Sequence, residues 1–102
     1  MTRELSQLGL SFSEWLVLDA TWQLMLELDD AVNQAMVVVR SGLDKMTVSR
    51  AMRALEASGS VTRGPDLSGP AYRIFVTKRG EHLARHAEQC VNRLSAQGVS
   101  LA

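Results

Sequence analysis

Lys45, Met46, Thr47, Ser49, Arg50 and Arg53 crowd one short stretch with donors and methyl groups suited to reading base-pair edges. An arginine can grip the O6 and N7 of guanine with two parallel hydrogen bonds, and a serine can reach a base edge or a phosphate. A methionine, or the methyl of a threonine, can touch the methyl of thymine. The chemistry on offer is recognition rather than catalysis. These residues share a surface only if the stretch is helical. With Val48, Met52 and Leu55 at i, i+4 and i+7 turned to a core, Lys45, Met46, Ser49, Arg50 and Arg53 fall on the opposite face. The plainer reading of that face is a solvated basic surface.

Other chemistry finds less support. His82, His86 and Cys90 recur every four residues, the spacing of a three-ligand metal edge. No further ligand cluster accompanies them, and three residues spread over two turns converge poorly on one ion, so no metal or other cofactor is expected. Cys90 also falls on an apolar seam, where a thiol behaves as a small hydrophobe rather than a redox switch. There is no glycine-rich phosphate loop, no nucleophile elbow and no acid/base pair beyond surface acids, so the chain does not read as an enzyme. Trp15 and Trp22, seven apart on one helix, read as core rather than as a base-stacking platform.

The elements that must position these groups are legible from caps and periodicity. Ser11 and Glu14 form a capping box, and Leu10 ahead of them can staple onto Trp15, so a helix starts at Phe12 and runs to about Leu28. Trp15, Leu18, Trp22, Met25 and Leu26 give it one apolar face, and Leu16, Val17, Leu24 and Leu28 a second. Asn33 can cap a short helix through about Arg40, ended by Ser41-Gly42. Asp44 caps a third helix through about Ser58, and Gly59 stops it. The stretch 33–58 is thus helix, short turn, helix.

The pattern then changes. Val61-Thr62-Arg63, a Gly64–Pro70 loop and the alternating run Tyr72–Thr77 read as a hairpin that brings Arg63 and Arg73 alongside the helical pair. Thr77 can cap a last helix over about 78–97, on which Leu83, Ala87, Cys90 and Leu94, with Val91 alongside, form a seam that wants a partner. The expected fold is α+β and mostly α: a winged helix-turn-helix with a two-stranded β-hairpin wing and a C-terminal dimerisation helix.

Length and charge fit that reading. The chain has 102 residues, enough for one core but not two. With 46% apolar and 22% charged residues it should fold. Its apolar runs stop far short of a membrane span, and no apolar stretch of signal-peptide length follows Arg3, so a cytoplasmic protein without membrane contact is expected. One cysteine permits no internal disulfide. The net charge is zero, but residues 1–36 carry one base against six acids, whereas residues 37–102 carry ten bases against five acids. A polyanion is favoured on one side of the molecule only.

Three segments then resemble a known family. Gly42-Leu43-Asp44-Lys45-Met46-Thr47-Val48-Ser49-Arg50, Leu55-Glu56-Ala57-Ser58-Gly59-Ser60-Val61-Thr62-Arg63 and Val76-Thr77-Lys78-Arg79-Gly80 are similar to the multiple-antibiotic-resistance regulator (MarR) family of bacterial winged-helix transcription factors. Leu10–Leu18 fits the same family's core helix. The resemblance spans roughly residues 8–97. It implies a cytoplasmic homodimer that binds double-stranded DNA, often as a repressor, with Thr47, Ser49, Arg50 and Arg53 at the groove. Two departures accompany it. The family's Asp-x-Arg wing motif would fall on Ser68 and Pro70, leaving Asp66 and Arg73 to compensate. Few residues lie outside 11–97 to build the usual dimer interface, so a small-molecule effector is disfavoured. The contrasting expectation is a winged helix that pairs with another regulator and binds DNA weakly or not at all.

Overall fold

The computed structural model describes residues 9–28, 31–65 and 72–96, without the side chains of residues 91 and 93–96. In chain order the elements are α1 (Phe12–Glu27), α2 (Gln34–Ser41), α3 (Lys45–Ala57), β1 (Val61–Pro65), β2 (Tyr72–Val76) and α4 (Lys78–Ala96). The expected α+β winged helix-turn-helix is present, with element ends within a residue or two of those read from the caps.

Each start has its side-chain acceptor. The Glu14 amide donates to Ser11 Oγ at 3.1 Å and the Glu14 carboxylate accepts from the Ser11 amide, which closes the capping box of α1. Asn33 Oδ1 accepts from the Met36 amide at 3.0 Å, and Asp44 Oδ2 from the Thr47 amide at 3.0 Å. Gly42, at φ 73°, ends α2 in the left-handed region that a side chain would resist. After α3, Gly59 at φ 78° carries the chain through a Schellman turn. In that turn the Ser60 amide donates to the Leu55 carbonyl and the Gly59 amide to the Glu56 carbonyl.

Helix α1 lies at the centre, packed against α2, α3, α4 and β2. Val17, Leu18, Ala20, Thr21 and Leu24 are buried, and the Thr21 hydroxyl donates back to the Val17 carbonyl at 2.7 Å. Trp15, Trp22, Met25 and Leu28 pack at the core's edge. Leu26 departs from its expected core place: it is 68% exposed. In that last turn Leu24 and Met25 take the inward positions, and Met25 Sδ accepts the Val76 amide at 3.1 Å, so Leu26, one helical step further round, faces solvent.

The hairpin pairs antiparallel in the register Val61↔Val76, Arg63↔Ile74 and Pro65↔Tyr72. Its second strand is anchored to the body as well, since the Ile74 amide donates to the Val32 carbonyl at 2.8 Å. The Thr77 hydroxyl accepts the Gly80 amide and so starts α4, while donating to the turn carbonyls of Gly59 and Ser60. Helix α4 turns Ala84 and Ala87 into the chain's own core.

Candidate nucleic-acid interface

The phase of α3 is fixed by what it buries. Val48 and Met52 are fully buried and Leu55 nearly so, which turns Lys45, Met46, Arg50 and Arg53 outward and leaves Thr47 and Ser49 half-exposed. None of Lys45, Arg50 and Arg53 makes an ion pair among the described residues. Thr47 is different. Its hydroxyl donates to the Asp44 carboxylate and its amide to the other oxygen, and these two bonds hold the Asp44 carboxyl below its usual pKa. The Thr47 hydroxyl is thus spent on the cap that starts the helix.

The basic stretch from Arg40 to Arg79 is less uniform than its count suggests. Arg40 reaches back across α1 and donates to both Glu27 oxygens, one at 2.9 Å, which lowers the Glu27 pKa and raises that of Arg40. It is neutralised on the spot. Arg63 Nε sits 3.7 Å from Glu56 Oε2, tying the wing's first strand to the end of α3. The Arg73 guanidinium lies over the Phe75 ring, 5.2 Å from the centroid. The loop residues Asp66, Ser68 and Pro70 lie outside the described residues. The structure thus brings Lys45, Met46, Ser49, Arg50 and Arg53 to one face and keeps Arg63 and Arg73 engaged elsewhere in the protein.

On α4, Leu83 is half-buried against the core, Ala87 is fully buried, and Cys90 is half-buried. Ala87 is covered by its own chain and is not offered to a partner, which corrects its place in the seam. The side chains of Val91 and Leu94 lie outside those described. Among the described residues no three His, Cys, Asp or Glu side chains are grouped to hold a metal ion, and no helix is long and apolar enough to cross a membrane. Opposite α4, Asp19 of α1 is half-buried and accepts from Gln23 Nε2 at 3.0 Å. Burial and then the nearby Glu88 charge push its carboxyl pKa up.

Sequence reasoning missed the acids that disarm the bases. Glu27 is thirteen residues from Arg40 in the chain, and only the angle between α1 and α2 brings them together. Glu56, by contrast, stands seven residues before Arg63 across a single turn, a separation at which the pairing was open to inspection.

No family model matches the chain, and no curated protein matches it. Solved structures do. A MarR-family transcriptional regulator from Rhodococcus sp. RHA1 superposes with a TM-score of 0.78 at 26% identity, over 94% of this chain and 65% of that one. CouR from Rhodococcus jostii RHA1, solved with p-coumaroyl-CoA, gives 0.76 at 27% identity over 94% of this chain and 65% of its own. MepR from S. aureus, solved in a complex with DNA, gives 0.77 at 20% identity over 99% and 70%. The chain spans about two thirds of the length of these structures. Its fold is the winged helix of the MarR-family regulators.

Proposed function

We propose that this MarR-like winged helix binds double-stranded DNA in the cytoplasm, lays α3 in the major groove, and regulates transcription as a repressor by occupying its site. One observation carries the reading: Lys45, Arg50 and Arg53 stand on the exposed face of the second helix of a helix-turn-helix, without an ion pair among the described residues, and that helix is the one that enters the groove in this motif. Ser49 shares that face. MepR, which has the same fold, is solved with DNA bound. The reading is of a binder and assigns no catalytic step.

Two chains acting together would place two such helices on half-sites about one helical turn apart, ~34–36 Å. Homodimerisation belongs to the proposal on that ground, with Leu83, Cys90, Val91 and Leu94 of α4 as its contact residues. The interaction-module reading draws on a different observation, that Arg63 and Arg73 are both engaged within the protein rather than held out toward a partner.

Titrating a labelled duplex of random sequence at two salt concentrations separates the two. Phosphate-neutralising binding weakens with a slope of about −0.9 per phosphate on logarithmic axes. Arg50→Ala and Arg53→Ala should leave the fold intact, both side chains being exposed, and cost ~1–3 kcal/mol for whichever arginine reaches a base edge. Unchanged affinity in the double variant, or binding indifferent to salt, would transfer the protein to the interaction-module reading.

A further inference from the structure

Resting on the DNA-binding reading, we infer that Met46 reads the methyl group of a thymine about one or two base steps from the base pair that Arg50 contacts. Met46 is 64% exposed although it is a large apolar side chain. Exposure alone says little, since scattered surface hydrophobics are ordinary, and Val39 is more exposed still at 82%. The difference is place. Val39 sits on α2 beside Arg40, whose charge is already matched by Glu27. Met46 sits in the first turn of α3, one turn ahead of Arg50 and two ahead of Arg53, on the same stripe of the helix. In helix-turn-helix proteins the N-terminal residues of this helix meet the base edges.

The stripe therefore offers a groove one apolar contact followed by guanidinium donors. Among the base edges of the major groove the apolar feature is the 5-methyl of thymine. Thr47, the other methyl-bearing candidate in this turn, is half-buried, whereas Met46 stands out from the surface and is the better placed of the two. An unbranched thioether chain can shift to follow the methyl. The spacing follows from the helix. Four residues rise about 6 Å at ~1.5 Å each, against ~3.4 Å per base step.

The test begins with a duplex recovered by the full chain from a random-sequence pool. Each thymine of the bound site is then replaced, one at a time, by deoxyuridine, which removes the methyl and keeps every hydrogen-bonding group. For the wild type, one thymine per half-site should weaken binding about fourfold when replaced, the worth of one buried methyl group. Met46→Ala should bind the thymine and deoxyuridine duplexes equally. Met46→Leu should restore the preference. All three proteins should melt alike, because the side chain is outside the core. Deoxyuridine tolerated at every position by the wild type, or an undiminished preference in Met46→Ala, would overturn the inference. A bound pool without any sequence preference overturns it too, while leaving DNA binding in place. Failure of the chain to retain any duplex would instead remove the reading on which it rests.

Discussion

Gly80 lies so close to Ser60 that a β-carbon on it would stand 2.0 Å from the Ser60 carbonyl oxygen. That carbonyl already accepts the Thr77 amide and hydroxyl, both at 3.1 Å. The first turn of α4 is thus pressed, backbone to backbone, onto the turn that ends α3.

Gly80→Ala should destabilise the protein, because neither the turn carbonyl nor Val76 Cγ1, 2.8 Å from the same position, can withdraw without moving backbone or core. Overpacking of this kind costs ~1–3 kcal/mol, and in a domain of this size each kcal/mol lowers the melting temperature by about 4–8 °C. Gly64→Ala is the control. Its β-carbon would meet Phe75 Cε2 at 3.5 Å, an ordinary contact, and the melting temperature should hardly move. Thermal denaturation followed by circular dichroism checks both.

The phase of α1 has its own test. Leu24 is 6% exposed and Leu26 68% exposed, two residues apart on one helix. Leu24→Ala should cost ~2–5 kcal/mol in urea unfolding, whereas Leu26→Ala should fall within about ±0.5 kcal/mol. Equal losses would mean that the last turn of α1 faces the core differently.

Asp19 gives a pH dependence of definite sign. Burial and Glu88 raise its folded pKa above the unfolded 3.8, so in the window just above that value the folded state holds the extra proton. Stability contributed by this group therefore falls as pH rises through the window and stays lower at neutral pH. Asp19→Asn, which can still accept from Gln23, should melt higher than the wild type at pH 7, and the gap should close as pH drops below the ordinary carboxylate range. A gap constant with pH would place the effect in packing rather than charge.

Self-association is checked by light scattering. The proposed dimer should show twice the 11.2 kDa of one chain, and Leu94→Glu should move the mass toward a single chain while weakening duplex binding. A wild type that remains single at high micromolar concentration would remove the homodimer from the proposal.

Much of the fold was legible because its signals are local. Ser11 with Glu14, Asn33, Asp44 and Thr77 each announce a helix start within three or four residues, and Gly42 and Gly59 each mark an end through a left-handed backbone. The exposed face of α3 followed from the spacing of Val48, Met52 and Leu55. What escaped depends on how the helices meet. The apolar residues of α1 ring the helix almost evenly, so periodicity could not say that Leu26 is outside. Ala87 belongs equally to a seam and to a core until α4 is docked. The charge of Arg40 finds its partner only when α1 and α2 cross, whereas Arg73 and Phe75, two residues apart on β2, share a strand face, so their contact was open to inspection.

The central position of α1 has a consequence for how the molecule comes apart. Because it touches every other helix and the second strand, no neighbour can detach without baring part of Val17, Leu18 or Leu24 to water. Partial opening is thereby penalised wherever it begins, and unfolding should proceed as a single cooperative step. The amides of that helix would then exchange with deuterium only when the whole domain opens, at the slowest rate in the chain.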